Sequence, residues 1–126
     1  MSLTPRLIVP DPDVASDYYQ RALGAEPVLR AQDETGRVVA VSMTLGGSSL
    51  TLSPAVAEWG WLSPADLGGS PVLIEAEFDD QDAVGERMVA DGGTVVVPIE
   101  DRPYGKREGR IKDPFGHLWI VTGDPR

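Results

Sequence analysis

The chain resembles itself at a fixed offset of 69 residues: Asp11 and Asp80, Asp13 and Asp82, Gly24 and Gly93, Gly36 and Gly105, and Gly47 and Gly116 are identical pairs. Arg37 and Lys106 are similar at the same spacing. Aspartates ahead of an apolar run suit helix starts, and glycines suit helix ends and turns, so the repeated residues are those that shape backbone. A unit of about 60 residues is marginal alone, which implies two copies sharing one domain over 1–126.

The totals narrow the function. A formal charge of −9 argues against a nucleic-acid partner, because phosphate binding needs a basic face, and it favours neutral or cationic ligands. The absence of cysteine removes disulfides, thiolate nucleophiles and zinc–thiolate sites, and a single histidine remains. No apolar run approaches the roughly 18 residues of a membrane span, and Met1 to Pro10 lacks a signal-peptide layout. The expectation is a cytoplasmic protein without a membrane partner.

Residues 3–9 read as a strand stopped by Pro10-Asp11-Pro12-Asp13, followed by a helix over 14–23 ending at Gly24. Strands are expected at 28–32, 38–45 and 49–53, with turn signals at Glu34-Thr35-Gly36 and Gly46-Gly47. This is a βαβββ unit, module 1 over about 3–53. Residues 54–70 are rich in proline and glycine and read as a linker. Module 2, about 71–123, repeats the order with strand 72–78, helix 81–91 and strands 94–97, 108–112 and 117–122. Residues 98–106 read as a loop covering a ligand site. The expected fold is α+β, two tandem modules forming an open, incompletely closed, barrel-like sheet around a cleft.

Alternation with period 2 assigns faces. Pro5, Leu7 and Val9, then Val39, Val41, Met43 and Leu45, and Leu50 with Leu52, belong under the first helix; Ile74, Ala76 and Phe78 belong under the second. The opposite face carries Arg6, Ser42, Thr51, Glu75 and Glu77, a small and polar lining that leaves volume for a ligand.

The element order, the Asp17-Tyr18-Tyr19 helix ending in Leu23-Gly24-Ala25, the Tyr104-Gly105-Lys106 loop and the segment Asp113-Pro114-Phe115-Gly116-His117-Leu118-Trp119 resemble the vicinal oxygen chelate superfamily. Within it the chain looks most like the glyoxalase/bleomycin-resistance, PhnB-like branch. Enzymes of this superfamily hold a divalent metal with His or Glu at four strand positions, which fall here on Thr4, Thr51, Leu73 and Ile120. PhnB-like relatives often place His and Glu where this chain has Ala40 and Ser42. A divalent ion needs nitrogen or carboxylate donors at about 2.0–2.6 Å, so the resemblance implies the metal-free branch, whose dimers sequester peptide or aromatic antibiotics.

The expected ligand residues are therefore Trp59, Trp61, Tyr104, Glu75, Glu77, Arg6, Thr51, Ser42 and Arg110, with no catalytic residue, metal or cofactor. Trp59 and Trp61 offer a stacking platform or a plug at the module joint. Glu75 and Glu77 would hold a cationic group, although Arg6 and Glu75, equivalent in the two modules, could instead pair with each other. His117 and Trp119 read as parts of the turn motif and the core. The alternative is a metal-dependent lyase, isomerase or dioxygenase using, for instance, His117 with Glu75 and Glu77.

Overall fold

The computed structural model describes residues 1–126, which form two compact units, Met1–Gly68 and Gly69–Arg126. Unit 1 runs β1 (Arg6–Ile8), α1 (Pro12–Leu23), β2 (Glu26–Gln32), β3 (Val38–Leu45), β4 (Ser48–Ser53) and a short α2 (Pro64–Leu67). Unit 2 runs β5 (Leu73–Glu77), α3 (Gln81–Ala90), β6 (Thr94–Asp101), β7 (Arg107–Lys112) and β8 (Leu118–Gly123). The sheets have matching orders, β1-β4-β3-β2 and β5-β8-β7-β6. In each, the first strand pairs parallel to the last and the other pairings are antiparallel. The architecture is the expected α+β one, with two open four-stranded sheets that do not close into a barrel.

The repeated aspartates do what their position suggests. Asp11 accepts the amides of Asp13 and Val14 at the start of α1, and Asp80 accepts that of Ala83 at the start of α3, satisfying donors that lack an intrahelical partner. Pro12 at the first helical position, where its missing N–H costs nothing, starts α1 two residues earlier than the apolar pattern indicates. Helical spacing then brings Ala15, Tyr18, Tyr19, Ala22 and Leu23 onto one buried face. They pack in unit 1 with Leu7, Val9, Val41, Met43, Leu50 and Leu52, all buried. Each such large side chain contributes about 1.5–3 kcal/mol when fully withdrawn from water. In unit 2 the counterparts are Val84 and Met88 of α3 over Ile111, Trp119 and Val121. Pro5 precedes β1 and is exposed, outside the core expected for it.

Three turns share one design. Residues Asp33–Arg37, Arg102–Lys106 and Asp113–His117 each close with the first amide on the fifth carbonyl and the fourth amide on the first carbonyl. The fourth residue is Gly36, Gly105 or Gly116, with φ of 87°, 88° and 91°, a left-handed conformation that strains any residue with a Cβ.

Three expectations need correcting. Residues 98–101 are strand rather than loop: β6 continues through Pro98 to Asp101, because it is the edge strand and register shifts around Val97 absorb the missing N–H. Only Arg102–Lys106 forms a turn there. The glycine pairs 24/93 and 47/116 are not conformational equivalents: in unit 2 the left-handed residue after the helix is Gly92, and in the β3–β4 hairpin it is Gly46. Lastly, residues 54–68 are structured within unit 1. A 3-10 turn spans Ala57–Trp59, a bridge joins Val56 to Trp61, and a Ser63/Asp66 capping box with Pro64 starts α2.

Candidate functional site

Each sheet has one face under its helix and one face turned away from it; six of the nine expected ligand residues lie on the two faces turned away, and Trp59, Trp61 and Tyr104 lie in turns. On unit 1, strand register lines up Arg6, Thr51 and Ser42 across β1, β4 and β3. The Ser42 and Thr51 hydroxyls lie 3.4 Å apart, and Arg6 Nη1 donates to Ser53 Oγ at 3.2 Å. Arg6 also stacks over the Trp61 ring, its Cζ 5.6 Å from the centroid. Trp61 meets Trp59 edge to face at 5.1 Å, held by the tight Val56–Trp61 turn. Trp59 remains 66% exposed, so its ring is accessible to a ligand. Five of the nine expected residues thus form one connected group, tryptophan to arginine to hydroxyl row. Arg6 is engaged by Trp61 and Ser53 in its own unit.

On unit 2, Glu75, Ile120, Arg110 and Val97 form one cross-strand row, and Glu77, Thr122, Glu108 and Glu100 the next. Glu77 is paired at 3.5 Å with Lys106 from the β6–β7 turn. Tyr104, in the same turn, donates its hydroxyl to the Glu108 carboxylate. Glu108 is only 8% exposed. Its pKa is held below the ordinary range, first by the Tyr104 hydroxyl and then by the nearby Thr122 hydroxyl, while the same hydrogen bond pushes the Tyr104 phenol up. Glu108 is absent from the sequence-derived set, yet the alternation that selects Arg110 also places residue 108 on this face.

The segment from Asp113 to Trp119 is structural. The buried Asp113 carboxylate accepts the Phe115 amide at 2.9 Å, the His117 amide at 3.0 Å and the Trp119 indole N–H at 2.9 Å. One side chain thereby fixes the turn and orients the largest core ring.

The donor chemistry at the family's metal positions does not fit a divalent ion. Thr4 lies ahead of β1, Thr51 shares its hydroxyl with Ser42, and Leu73 and Ile120 carry only hydrocarbon. Nor are His117, Glu75 and Glu77 brought together. His117 precedes Leu118, the partner of Leu73, whereas Glu77 is opposite Thr122, five residues on from His117. That is about 16 Å along a strand. Within either unit no three His, Asp or Glu side chains converge as metal ligands.

A tandem βαβββ fold with these faces defines a scaffold class, and comparison with known proteins supplies the family. The chain belongs to the Glyoxalase/Bleomycin resistance protein/Dioxygenase superfamily, whose model matches residues 3–121. An uncharacterised protein of Mycobacterium bovis is 34% identical over 127 aligned positions, covering 98% of this chain and 83% of that one. Among solved structures, TioX from Micromonospora sp. ML1 is 25% identical with a TM-score of 0.74, covering 100% of this chain and 98% of that one. The fosfomycin resistance protein FosX of Listeria monocytogenes, solved with Mn(II) and sulfate, is 17% identical with a TM-score of 0.73, covering 99% and 93%. At that identity the likeness is one of fold.

Proposed function

We propose that this protein binds and sequesters an aromatic, and where charged cationic, small molecule or peptide antibiotic without metal. On this reading it is a PhnB-like, drug-binding member of its superfamily, acting as a cytoplasmic homodimer. The observation that carries the reading is the Trp59–Trp61 pair joined through Arg6 to the Ser53 and Thr51–Ser42 hydroxyls. Exposed indole faces bind planar rings by stacking and attract cations through their quadrupole, and small hydroxyls beside them leave room. The acidic balance of −9 raises the local concentration of cations. The hydroxyl and hydrocarbon side chains at Thr4, Thr51, Leu73 and Ile120 support binding over metal-assisted turnover.

Intrinsic tryptophan fluorescence, titrated with a panel of intercalating and glycopeptide antibiotics, is expected to show saturable quenching that Trp59→Ala and Trp61→Ala each weaken. No response across the panel from folded protein would remove the reading. Elemental analysis of protein purified without chelators checks the metal-independent part, and stoichiometric zinc, nickel, iron or manganese would overturn it.

A further inference from the structure

Glu108 is a buried carboxylate that makes no ion pair, although it is surrounded by basic residues. Arg102 directs its Nε to the backbone oxygen of Glu108 itself at 3.0 Å, its Nη2 to the carbonyl of Pro98 and its Nη1 to Glu100 at 3.7 Å. Lys106 is held by Glu77. The carboxylate accepts its well-formed hydrogen bond from the Tyr104 hydroxyl, with the Thr122 hydroxyl nearby and the Arg110 and Arg102 guanidiniums near it but not ion-paired to it, and Tyr104 is 62% exposed on a hairpin turn. Directly opposite Glu108 in the β7–β8 ladder stands Thr122, 4% exposed, whose Oγ1 is buried and has no hydrogen bond of good geometry. A buried hydroxyl without such a bond costs about 1–3 kcal/mol, and a buried carboxylate that has nearby arginines but no ion pair with them is incompletely compensated. Both deficits fall on one patch of the sheet face that also carries Glu75, Glu77 and Arg110.

We infer that Glu108 and Thr122 form a receiving site for the planar cationic head group of a ligand, an amidinium or guanidinium, with the Tyr104 hydroxyl as a placeholder that the ligand displaces. This rests on the ligand-binding reading above for the class of ligand and concerns a cationic group bound on unit 2 alone. An amidinium presents paired N–H donors: one set replaces the Tyr104 O–H on the carboxylate, and another can reach the Thr122 oxygen. A charge-assisted bond at a desolvated carboxylate is roughly twice as strong as a neutral one, which favours the cation over a neutral isostere.

The test compares 2-naphthamidine with its neutral isostere 2-naphthamide, by amide chemical shifts of the full chain. In the native protein the amidine is expected to bind about tenfold tighter or more, with shifts at Tyr104, Glu108 and Thr122. Glu108→Gln, which keeps an acceptor for Tyr104, should bring the ratio near one. Tyr104→Phe removes the competing donor and should tighten amidine binding, and Thr122→Val should weaken it. Should Glu108→Gln fail to fold, the Tyr104→Phe and Thr122→Val pair decides alone. A preference that survives Glu108→Gln, or a loss of amidine affinity in Tyr104→Phe, overturns the site. Equal binding of both probes, with shifts at Trp59 and Trp61 instead, overturns it while leaving the stacking reading intact. Absence of amidine binding overturns the site, and absence of any response to the antibiotic panel as well overturns the ligand-binding reading.

Discussion

Asp33 in unit 1 and Asp113 in unit 2 open turns with the same backbone hydrogen bonds and the same side-chain pattern, each carboxylate accepting the amides two and four residues on. Their surroundings differ. Asp33 is exposed and adds only the Thr35 hydroxyl, whereas Asp113 is 2% exposed and adds the Trp119 indole. One local device therefore serves as a solvated turn in one unit and as a core anchor in the other. The sheet faces turned away from the helices diverge in the same manner: hydroxyls and Arg6 on unit 1, carboxylates with Arg110 on unit 2. The turn hydrogen bonds recur between the modules, while the side chains on the faces turned away from the helices do not.

Removing the two aspartates one at a time tests this contrast most severely. Asp113→Ala leaves two amides and an indole N–H without their acceptor in a buried setting, at about 1–3 kcal/mol each. A loss of about 3 kcal/mol or more in chemical denaturation is expected. Asp33→Ala should leave the midpoint nearly unmoved, because water replaces the lost acceptor. Equal effects would show that burial does not distinguish the two turns.

A smaller effect separates the two helices. A Cβ placed on Gly85 of α3 would lie 2.6 Å from Ile99 Cδ1 and 3.2 Å from Ile111 Cδ1, so that helix sits close on its sheet. The equivalent residue of α1, 69 positions earlier, is Ser16, buried and accepting from Gln20 Nε2 at 3.2 Å. Gly85→Ser should destabilise by about 1 kcal/mol, the overpacking cost being partly offset by better helix propensity. Ser16→Gly should also cost about 1 kcal/mol, here through propensity and the lost hydrogen bond. A stabilising Gly85→Ser would mean that Ile99 swings aside freely and that the closer seat of α3 is not a real constraint.

What the sequence made legible follows the same division. Asp11 and Asp80, with Gly36 and Gly105, carried the module plan, and period-2 alternation placed Leu7, Val9, Val41, Met43, Leu50 and Leu52 correctly in the core. Helix α2 is too short to show periodicity, although its Ser63-Pro64-Ala65-Asp66 start is a readable capping box. Residues 98–101 read as loop because only the sheet order shows that the strand holding Pro98 is an edge. The contact of Arg6 with Trp61 spans 55 residues and depends on how the Val56–Trp61 turn aims one ring, which no local pattern encodes.

The finest distinction is one of acid titration. Asp13 in unit 1 and Glu108 in unit 2 both titrate below their ordinary values, Asp13 through its two bonds from Arg30 and Glu108 chiefly through the Tyr104 hydroxyl. A carboxyl with a depressed folded pKa contributes stability that is present above its unfolded value and lost as pH falls through the folded one. For Glu108 the loss should therefore begin below its ordinary 4.5. The Asp13–Arg30 pair is about half exposed, so added salt should screen its share, whereas the buried Glu108 bond to a neutral phenol should respond little. Carboxyl-carbon NMR titration at low and high salt reads both groups in one sample. Salt should move Asp13 towards its ordinary value and leave Glu108 in place, and Tyr104→Phe should raise Glu108 while leaving Asp13 unchanged. A Glu108 titration that shifts with salt as much as that of Asp13 would mean that solvent reaches the carboxylate and that its burial, on which the contrast between the two units depends, does not hold in solution.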